Sequence, residues 1–177
     1  MSDDLAGSVS PRQAEYVLDG LRQVMTIKSR VVLPYLVPQL VAPPVNTKAL
    51  SILASVAGDA LTRHLNRILP ALMSAMGDAE PGEPAAEQAG YCQSVILSVT
   101  EPAGVRVVID ELLEATRAGS VPRRRAAAAL LASFCGQTRA DYEQHVSQLL
   151  RGLTHLFIDQ DDKLLQVGRG MRAQRTA

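Results

Sequence analysis

The chain is poor in aromatic residues and cysteine, and it contains no long apolar run. Tryptophan is absent and aromatic residues make up 3% of the 177 residues, so any core must be aliphatic. The two cysteines, Cys92 and Cys135, lie in apolar stretches without the spacing of a disulfide framework or a zinc site. No apolar run approaches the roughly 20 residues of a membrane span, and the N-terminus lacks the features of a signal peptide. We therefore expect a soluble protein of a reducing, intracellular compartment.

Net charge is also absent, which argues against wholesale nucleic-acid binding. The sequence has 18 basic and 18 acidic residues, whereas a nucleic-acid-binding domain should carry an excess of basic residues on one face. Hydrophobic residues make up 47% of the chain and charged residues 20%, which is enough for a packed core. We expect no sequence-specific nucleic-acid partner.

A short apolar pattern recurs along the chain. The segment LPYLVPQL (33–40) returns in weaker form as LPALMSAM (69–76), and again around 109–116 and 150–157. The leucines that align these segments are 36, 40 and 41 residues apart: Leu36, Leu72, Leu112 and Leu153. Self-similarity at this period is typical of two-helix solenoids and is close to that of HEAT and armadillo repeats. The sequence predicts an all-α, HEAT-like right-handed alpha-alpha superhelix of about four helix pairs, truncated at both ends.

Helix start and stop signals divide this array. Ser10 and Pro11 start a first helix that runs to about residue 27, and a second covers about residues 30–41, with a bend expected at its two prolines. The first helix is expected to place five apolar side chains on one face: Tyr16, Val17, Leu21, Val24 and Met25. The predicted divisions are a flexible N-terminus (1–9), a half repeat (10–28), repeats at 30–58, 59–100 and 102–137, an incomplete repeat (139–166) and an irregular basic tail (167–177).

Several single residues are expected to begin or end these helices. Asn46 or Thr47 should cap the helix that Gly58 ends, and Asp59 should cap the next one. A further helix is expected at 163–166.

No combination of residues in the sequence suggests catalysis. The three histidines, at positions 64, 145 and 155, do not have zinc-site spacing, and neither cysteine has a neighbouring base. The Gly168–Gly170 pair follows no strand and opens no helix, so it does not resemble a nucleotide-binding loop. We expect a protein that is not an enzyme, with no catalytic residue, cofactor or metal site.

Three consecutive arginines, Arg123, Arg124 and Arg125, are the most distinctive local feature. They open a predicted helix and are candidates for contact with a phosphate backbone or an acidic protein surface. The alternative is a solvated first turn in which one arginine bonds to neighbouring turns, as in HEAT repeats. The acidic stretch 78–87 is similarly either a solvated linker or a docking segment.

Long strings of the sequence resemble one family, in order and at similar separations. They are IKSRVVLPYLVPQLVAPPVNT (27–47), SVAGDALTRHLNRILPALM (55–73), CQSVILSV (92–99), DELLEATR (110–117) and RADYEQHVSQLLRGLTHLF (139–157). Together they cover about residues 14–166. They resemble the giant HEAT-repeat translational activator of the general amino-acid control pathway, which activates the kinase of the alpha subunit of eukaryotic initiation factor two.

The resemblance implies a cytoplasmic, ribosome-associated scaffold that acts in the response to amino-acid starvation and stalled ribosomes. Its expected partners are the ribosome, the kinase and an ATP-binding-cassette protein. The matched stretch resembles a C-terminal-half segment upstream of the family's kinase-contacting region, so no kinase-binding residue is assigned. After Gln166 the chain departs from the family pattern, which suggests an alternative or mispredicted terminus; transcripts that continue past this codon into an amphipathic helix would support that hypothesis.

Three alternatives remain open at this point. The chain could be a HEAT adaptor unrelated to translation, an RNA-binding solenoid, or a truncated product without independent function. The neutral net charge disfavours the RNA-binding solenoid. Joint recurrence of the long strings in one other protein would disfavour the unrelated adaptor.

Overall fold

The polypeptide folds into a two-layered stack of α-helices. The computed structural model describes residues 11–79 and 82–157, and these contain seven α-helices and no strand. The helices are α1 (Pro11–Val41), α2 (Thr47–Ala57), α3 (Leu65–Asp78), α4 (Glu83–Leu97), α5 (Pro102–Ala115), α6 (Val121–Gln137) and α7 (Val146–Leu153). Short 3₁₀ segments occur at Gly58–His64, Glu143–His145 and Thr154–Phe157.

The helices alternate between the two layers. In one layer α4 packs between α2 and α6, and in the other α1, α3, α5 and α7 follow one another. Contacts of α1 with α2, of α3 with α4 and α6, and of α5 with α6 join the layers. This alternation of consecutive helices is the all-α, HEAT-like architecture that the sequence period predicts.

The core is aliphatic, as the scarcity of aromatic residues requires. Leucine, isoleucine, valine, methionine and alanine supply nearly all of its buried side chains, and Phe134 is the largest fully buried side chain among the described residues. Ala126, Ala127 and Ala128 are buried at the start of α6. Because these side chains are small, α3, α4 and α5 can all pack closely against α6.

The first helix is longer than the sequence suggested. The prediction of two helices separated near residue 28 is wrong, because α1 continues from Pro11 to Val41 with Pro34 and Pro38 inside it. An interior proline costs about 3 kcal/mol, but the residues beside the two prolines, Leu33 and Val37, are completely buried. Burial of each such side chain contributes about 1.5–3 kcal/mol, so the continuous helix keeps both residues in the core.

The exposed side of α1 also differs from the prediction. Of the five apolar residues expected on one buried face, Met25 is buried but Tyr16 and Val24 are exposed. The side chains of Val17 and Leu21 lie outside the described part of the structure. The N-terminal half of α1 therefore presents apolar side chains to solvent.

Two predicted helix signals near α2 are confirmed. Asn46 caps α2, since its side-chain Oδ1 accepts a hydrogen bond of 2.9 Å from the Ala49 N–H. Gly58 follows the last residue of α2 with a φ of +49°, in the left-handed range that favours glycine. Both signals act within one turn of the chain, which is why the sequence alone reveals them.

Asp59 does not cap the helix that follows it, contrary to the prediction. Residues Gly58–His64 form a 3₁₀ segment, and α3 begins only at Leu65. The Asp59 carboxylate instead accepts hydrogen bonds from the Thr100 N–H (2.8 Å), the Glu101 N–H (2.9 Å) and the Thr100 hydroxyl (2.9 Å). Because α5 begins at Pro102, Asp59 binds the backbone just before a helix about one repeat further along the chain.

These hydrogen bonds control the ionisation of Asp59. Burial by itself would raise its pKa, but the hydrogen bonds from Glu101 and Thr100 outweigh burial, and the pKa is lowered. A carboxylate with a lowered pKa stabilises the fold above its unfolded pKa of about 3.9. That contribution disappears as the pH falls through the folded pKa.

We expect the Asp59→Ala variant to lose about 1–2 kcal/mol of unfolding free energy at pH 7, as for loss of a helix cap. The difference from the parent protein should begin to shrink as the pH falls below the unfolded pKa of about 3.9, and it should be lost as the pH falls through the lowered pKa of Asp59 in the folded protein. Urea unfolding at several pH values measures both effects. Glu114→Ala, at an exposed position of α5, is the control and should change stability by no more than about 0.5 kcal/mol. A pH-independent loss would contradict the role of the ionised carboxylate.

The last predicted helices are only partly described. The helix expected after Thr138 appears as a 3₁₀ turn, the short helix α7 and a second 3₁₀ turn, with Leu149 and Leu156 buried. The helix expected at 163–166, the tail at 167–177 and the N-terminus at 1–9 lie outside the described residues. The acidic stretch includes the end of α3 at Asp78 and the start of α4 at Glu83.

Candidate partner-contact surface

The three arginines occupy the first turn and a half of α6. This helix begins at Val121, with Ser120 as its N-cap residue and no acidic residue in its first turn. A helix N-terminus carries a partial positive charge, so cations there are unfavourable by about 0.3–1 kcal/mol. A favourable interaction with the helix dipole therefore does not explain why three arginines occur at this position.

Arg124 has a structural role. Its side chain is half-buried, and Nη1 donates to the carbonyl oxygens of Ala118 and Gly119, both at 3.2 Å. Its backbone N–H also donates to the Ser120 carbonyl at 3.0 Å. These bonds hold the turn between α5 and α6, and they confirm that one arginine of the three bonds to a neighbouring turn.

Arg123 and Arg125 extend into solvent. Both side chains are exposed, and within residues 11–79 and 82–157 Arg123 makes no ion pair. Successive helical positions differ by about 100°, so Arg123 and Arg125 lie about 200° apart around α6. The triplet is thus not one flat patch: a partner that meets both exposed arginines must approach the N-terminal end of the helix.

The thiols and histidines do not form a catalytic arrangement. Burial raises the pKa of Cys92 to about 12 and that of Cys135 to about 11, so both thiols are protonated at neutral pH and are poor nucleophiles. Burial, Arg67 and Arg63 together lower the pKa of His64. The described residues contain no group of three or more His, Cys, Asp or Glu side chains that could hold a metal ion.

No α-helix in the described part of the chain is both long enough and apolar enough to span a bilayer.

Two features of the surface are not evident from the sequence analysis. The first is the exposed apolar face of α1. The second is a pair of exposed arginines, Arg63 and Arg67, which in the sequence lie one residue before and three residues after the half-buried His64. Helical periodicity indicates which α1 residues share a face, but it does not tell which face another helix covers.

Comparison with known proteins identifies close relatives over most of the chain. The model of the family described as "Stalled ribosome sensor GCN1-like, HEAT repeats" matches residues 32–169. The chain is 53% identical over 154 residues, 86% of its length, to "Stalled ribosome sensor GCN1" of Homo sapiens. It is 34% identical over 155 residues (85% of the chain) to "Protein ILITYHIA" of Arabidopsis thaliana, and 29% identical over 165 residues (91%) to "eIF-2-alpha kinase activator GCN1" of Saccharomyces cerevisiae.

These relatives are far longer than the chain. The matched region covers 6% of the length of each of the three. No solved structure matches the chain.

Proposed function

Because the chain belongs to the GCN1-like family of HEAT-repeat stalled-ribosome sensors, we propose that it is a non-catalytic scaffold that associates with ribosomes and supports activation of an eIF-2-alpha kinase. The observation that carries this proposal is the 53% identity over 154 residues to a protein named for sensing stalled ribosomes. The buried, protonated thiols and the scattered histidines agree with a role in binding and not in catalysis.

The finer features of the proposal are those that the family resemblance of the sequence implies. We propose a cytoplasmic location, a role in the response to amino-acid starvation and an ATP-binding-cassette partner. We also propose that the segment contributes one stretch of a longer helical array, since it corresponds to 6% of the relatives' length. In such an array each repeat contacts its neighbours, and the extended surface supplies the binding site.

An adaptor role unrelated to translation has less support. Such an adaptor would match many HEAT proteins weakly and in scattered pieces. Instead, the similarity covers about 150 residues in each single protein, and these proteins come from an animal, a plant and yeast.

Within this function, we propose that Arg123 and Arg125 contact the ribosome while Arg124 holds the turn in place. The two exposed arginines lie at a helix N-terminus, where the helix dipole does not favour cations, and guanidinium groups bind phosphate oxygens well. Ribosomal RNA offers such phosphates at high density, and each phosphate contact makes binding more sensitive to salt.

We expect the Arg123→Gln/Arg125→Gln variant to bind ribosomes more weakly and with a smaller dependence on salt. The slope of log affinity against log salt should fall by about one for each lost contact. Sedimentation through a sucrose cushion at several salt concentrations measures this. The matched control is Lys48→Gln/Arg139→Gln, which removes two exposed positive charges elsewhere. Equal binding by both variants would contradict the contact, and a folded parent protein that never sediments with ribosomes would contradict ribosome association itself.

A further inference from the structure

The turn between α5 and α6 carries a serine with an arginine on either side. Ser120 directly precedes α6, and the charged residues nearest to it in the sequence are Arg117, three positions before it, and Arg123, three positions after it. The chain contains no acidic residue from position 115 to position 140. Protein kinases select their substrates partly by charge pattern, and basophilic serine/threonine kinases recognise an arginine three residues before the acceptor. The segment therefore has the charge pattern of a basophilic kinase substrate.

The Ser120 side chain is accessible and has no competing role in the fold. Ser120 is exposed, and its backbone is extended, with a φ of −78° and a ψ of 120°. Its hydroxyl makes no cap hydrogen bond to α6, and within residues 11–79 and 82–157 it has no other hydrogen-bond partner. One reason is that Pro122, the second residue of the helix, has no N–H to donate to a capping serine. The acceptor oxygen is therefore not engaged by the protein itself.

Two other hydroxyl side chains show what distinguishes Ser120. Thr154 also follows an arginine by three positions, but it begins a 3₁₀ segment and its hydroxyl donates to the Arg151 carbonyl at 2.6 Å. Thr116 borders the same turn as Ser120, but it is buried and its hydroxyl donates to the Leu113 carbonyl at 2.7 Å. A kinase must bring the acceptor and its neighbours into its active-site cleft, which a helical or buried hydroxyl resists. Of these three residues, Ser120 alone combines the arginine spacing with an exposed, unbonded hydroxyl.

We propose that a basophilic serine/threonine kinase phosphorylates Ser120 and that Arg117 and Arg123 bind the resulting phosphate. In this transfer the bond between the γ-phosphorus of ATP and the β–γ bridging oxygen breaks, and Ser120 Oγ bonds to that phosphorus. ADP leaves, and the hydroxyl proton passes to the catalytic aspartate of the kinase. The product carries a charge of about −1.5 to −2 and three strong acceptor oxygens.

The surroundings of Ser120 favour the phosphorylated form. The phosphate would lie at the N-terminus of α6, where the helix dipole stabilises negative charge. Arg123 is the third residue of α6, and a side chain at this position can reach back to the residue before the helix, as in a capping box. Neither Arg117 nor Arg123 makes an ion pair within the described part of the chain. Both guanidinium groups can therefore bind the phosphate, which would compete with the ribosome contact proposed for Arg123.

Phosphorylation of the full chain in vitro tests the first part of the proposal without ribosomes. Incubation with a purified basophilic kinase, ATP and Mg²⁺ is expected to add one phosphoryl group, which fragment mass spectrometry should place on Ser120. Arg117→Gln should slow the modification about tenfold, because it removes the charge that the kinase selects. Arg139→Gln, at another exposed arginine, is the control and should leave the rate unchanged. A chain that stays unmodified, modification of Thr154 in place of Ser120, or equal rates for the two variants would overturn the proposal.

Phosphorus nuclear magnetic resonance of the modified chain tests the second part. The second pKa of a phosphoserine is about 6, and nearby arginines should lower this pKa in the folded chain relative to the same chain unfolded in urea, because they favour the dianion. Arg123→Gln should move the pKa back toward that of the unfolded chain, which separates the effect of the arginine from that of the helix dipole. Lys48→Gln, an exposed position on α2, should not. Equal pKa values in the folded and unfolded chains, or no effect of Arg123→Gln, would overturn the binding of the phosphate by these arginines.

Discussion

Replacement of Phe134 by alanine is expected to lower the free energy of unfolding by about 3–5 kcal/mol. Phe134 is completely buried in α6, and its ring centroid lies 6.2 Å from that of Tyr142. Tyr142 in turn donates a hydrogen bond of 2.9 Å to the Cys135 carbonyl. The variant therefore loses apolar burial and leaves a cavity at the point where α6 meets the segment that leads to α7.

Urea unfolding followed by circular dichroism measures the loss. The control is Phe134→Leu, which retains most of the buried volume and should cost about 1.5 kcal/mol or less. The denaturant slopes of the two variants should agree, because both expose nearly the same surface on unfolding. If alanine costs no more than leucine, the side chain is not the central packing element that its burial implies.

A single methyl group at Gly104 is expected to destabilise the protein by about 1–3 kcal/mol. A Cβ atom at this position in α5 would lie 2.5 Å from Cγ1 of Val99 and 2.8 Å from Oγ1 of Thr62. Both neighbours are β-branched residues with restricted side-chain torsions, and Val99 is completely buried. The strain must therefore move backbone or packed side chains, and it exceeds the usual gain from replacing glycine in a helix.

Gly90→Ala is the matched control, because Gly90 lies inside α4 and a Cβ atom at this position would have no atom of another element within 4 Å. The same chemical change there should stabilise the protein by about 0.5–1 kcal/mol, the ordinary helix preference for alanine. Thermal and urea unfolding of the two variants should give shifts of opposite sign. Shifts of the same sign would show that the contact of α5 with Thr62 and Val99 is looser than the structure indicates.

The sequence predicted those parts of the fold that depend on local patterns. The recurrence of leucines at 36, 40 and 41 residues predicted stacked helix pairs, because each pair buries an apolar face against the next. Asn46 and Gly58 predicted the limits of α2, because capping and a positive φ are decided by residues within one turn. Such features require no knowledge of distant partners.

Features that depend on tertiary contacts were not predictable in the same way. Asp59 resembled a local cap, but the N–H groups that its carboxylate binds belong to Thr100 and Glu101. Pro34 and Pro38 favoured a broken helix, whereas burial of Leu33 and Val37 keeps the helix continuous. In each case a distant contact outweighs a local preference.

The candidate site shows the same division. Three adjacent arginines are visible in the sequence, but only the structure separates their roles, because Arg124 reaches back to the carbonyls of Ala118 and Gly119. The exposed face of α1 was missed for another reason. Its helix has apolar residues on two sides, and periodicity does not reveal which side packs against α2 and α3.

The hydrogen bonds of Asp59 have a consequence for how unfolding spreads along the stack. In an array whose units contact only their neighbours, each unit can open almost alone unless the interfaces couple them. Here one carboxylate at the start of the 59–100 unit binds two amide groups at the end of that unit, directly before the next one begins. We therefore expect the segment from Asp59 to Glu101, whose two ends these hydrogen bonds join, to open as one block. The exchange rates of the Thr100 and Glu101 amide protons then report on a side chain some forty residues earlier in the chain.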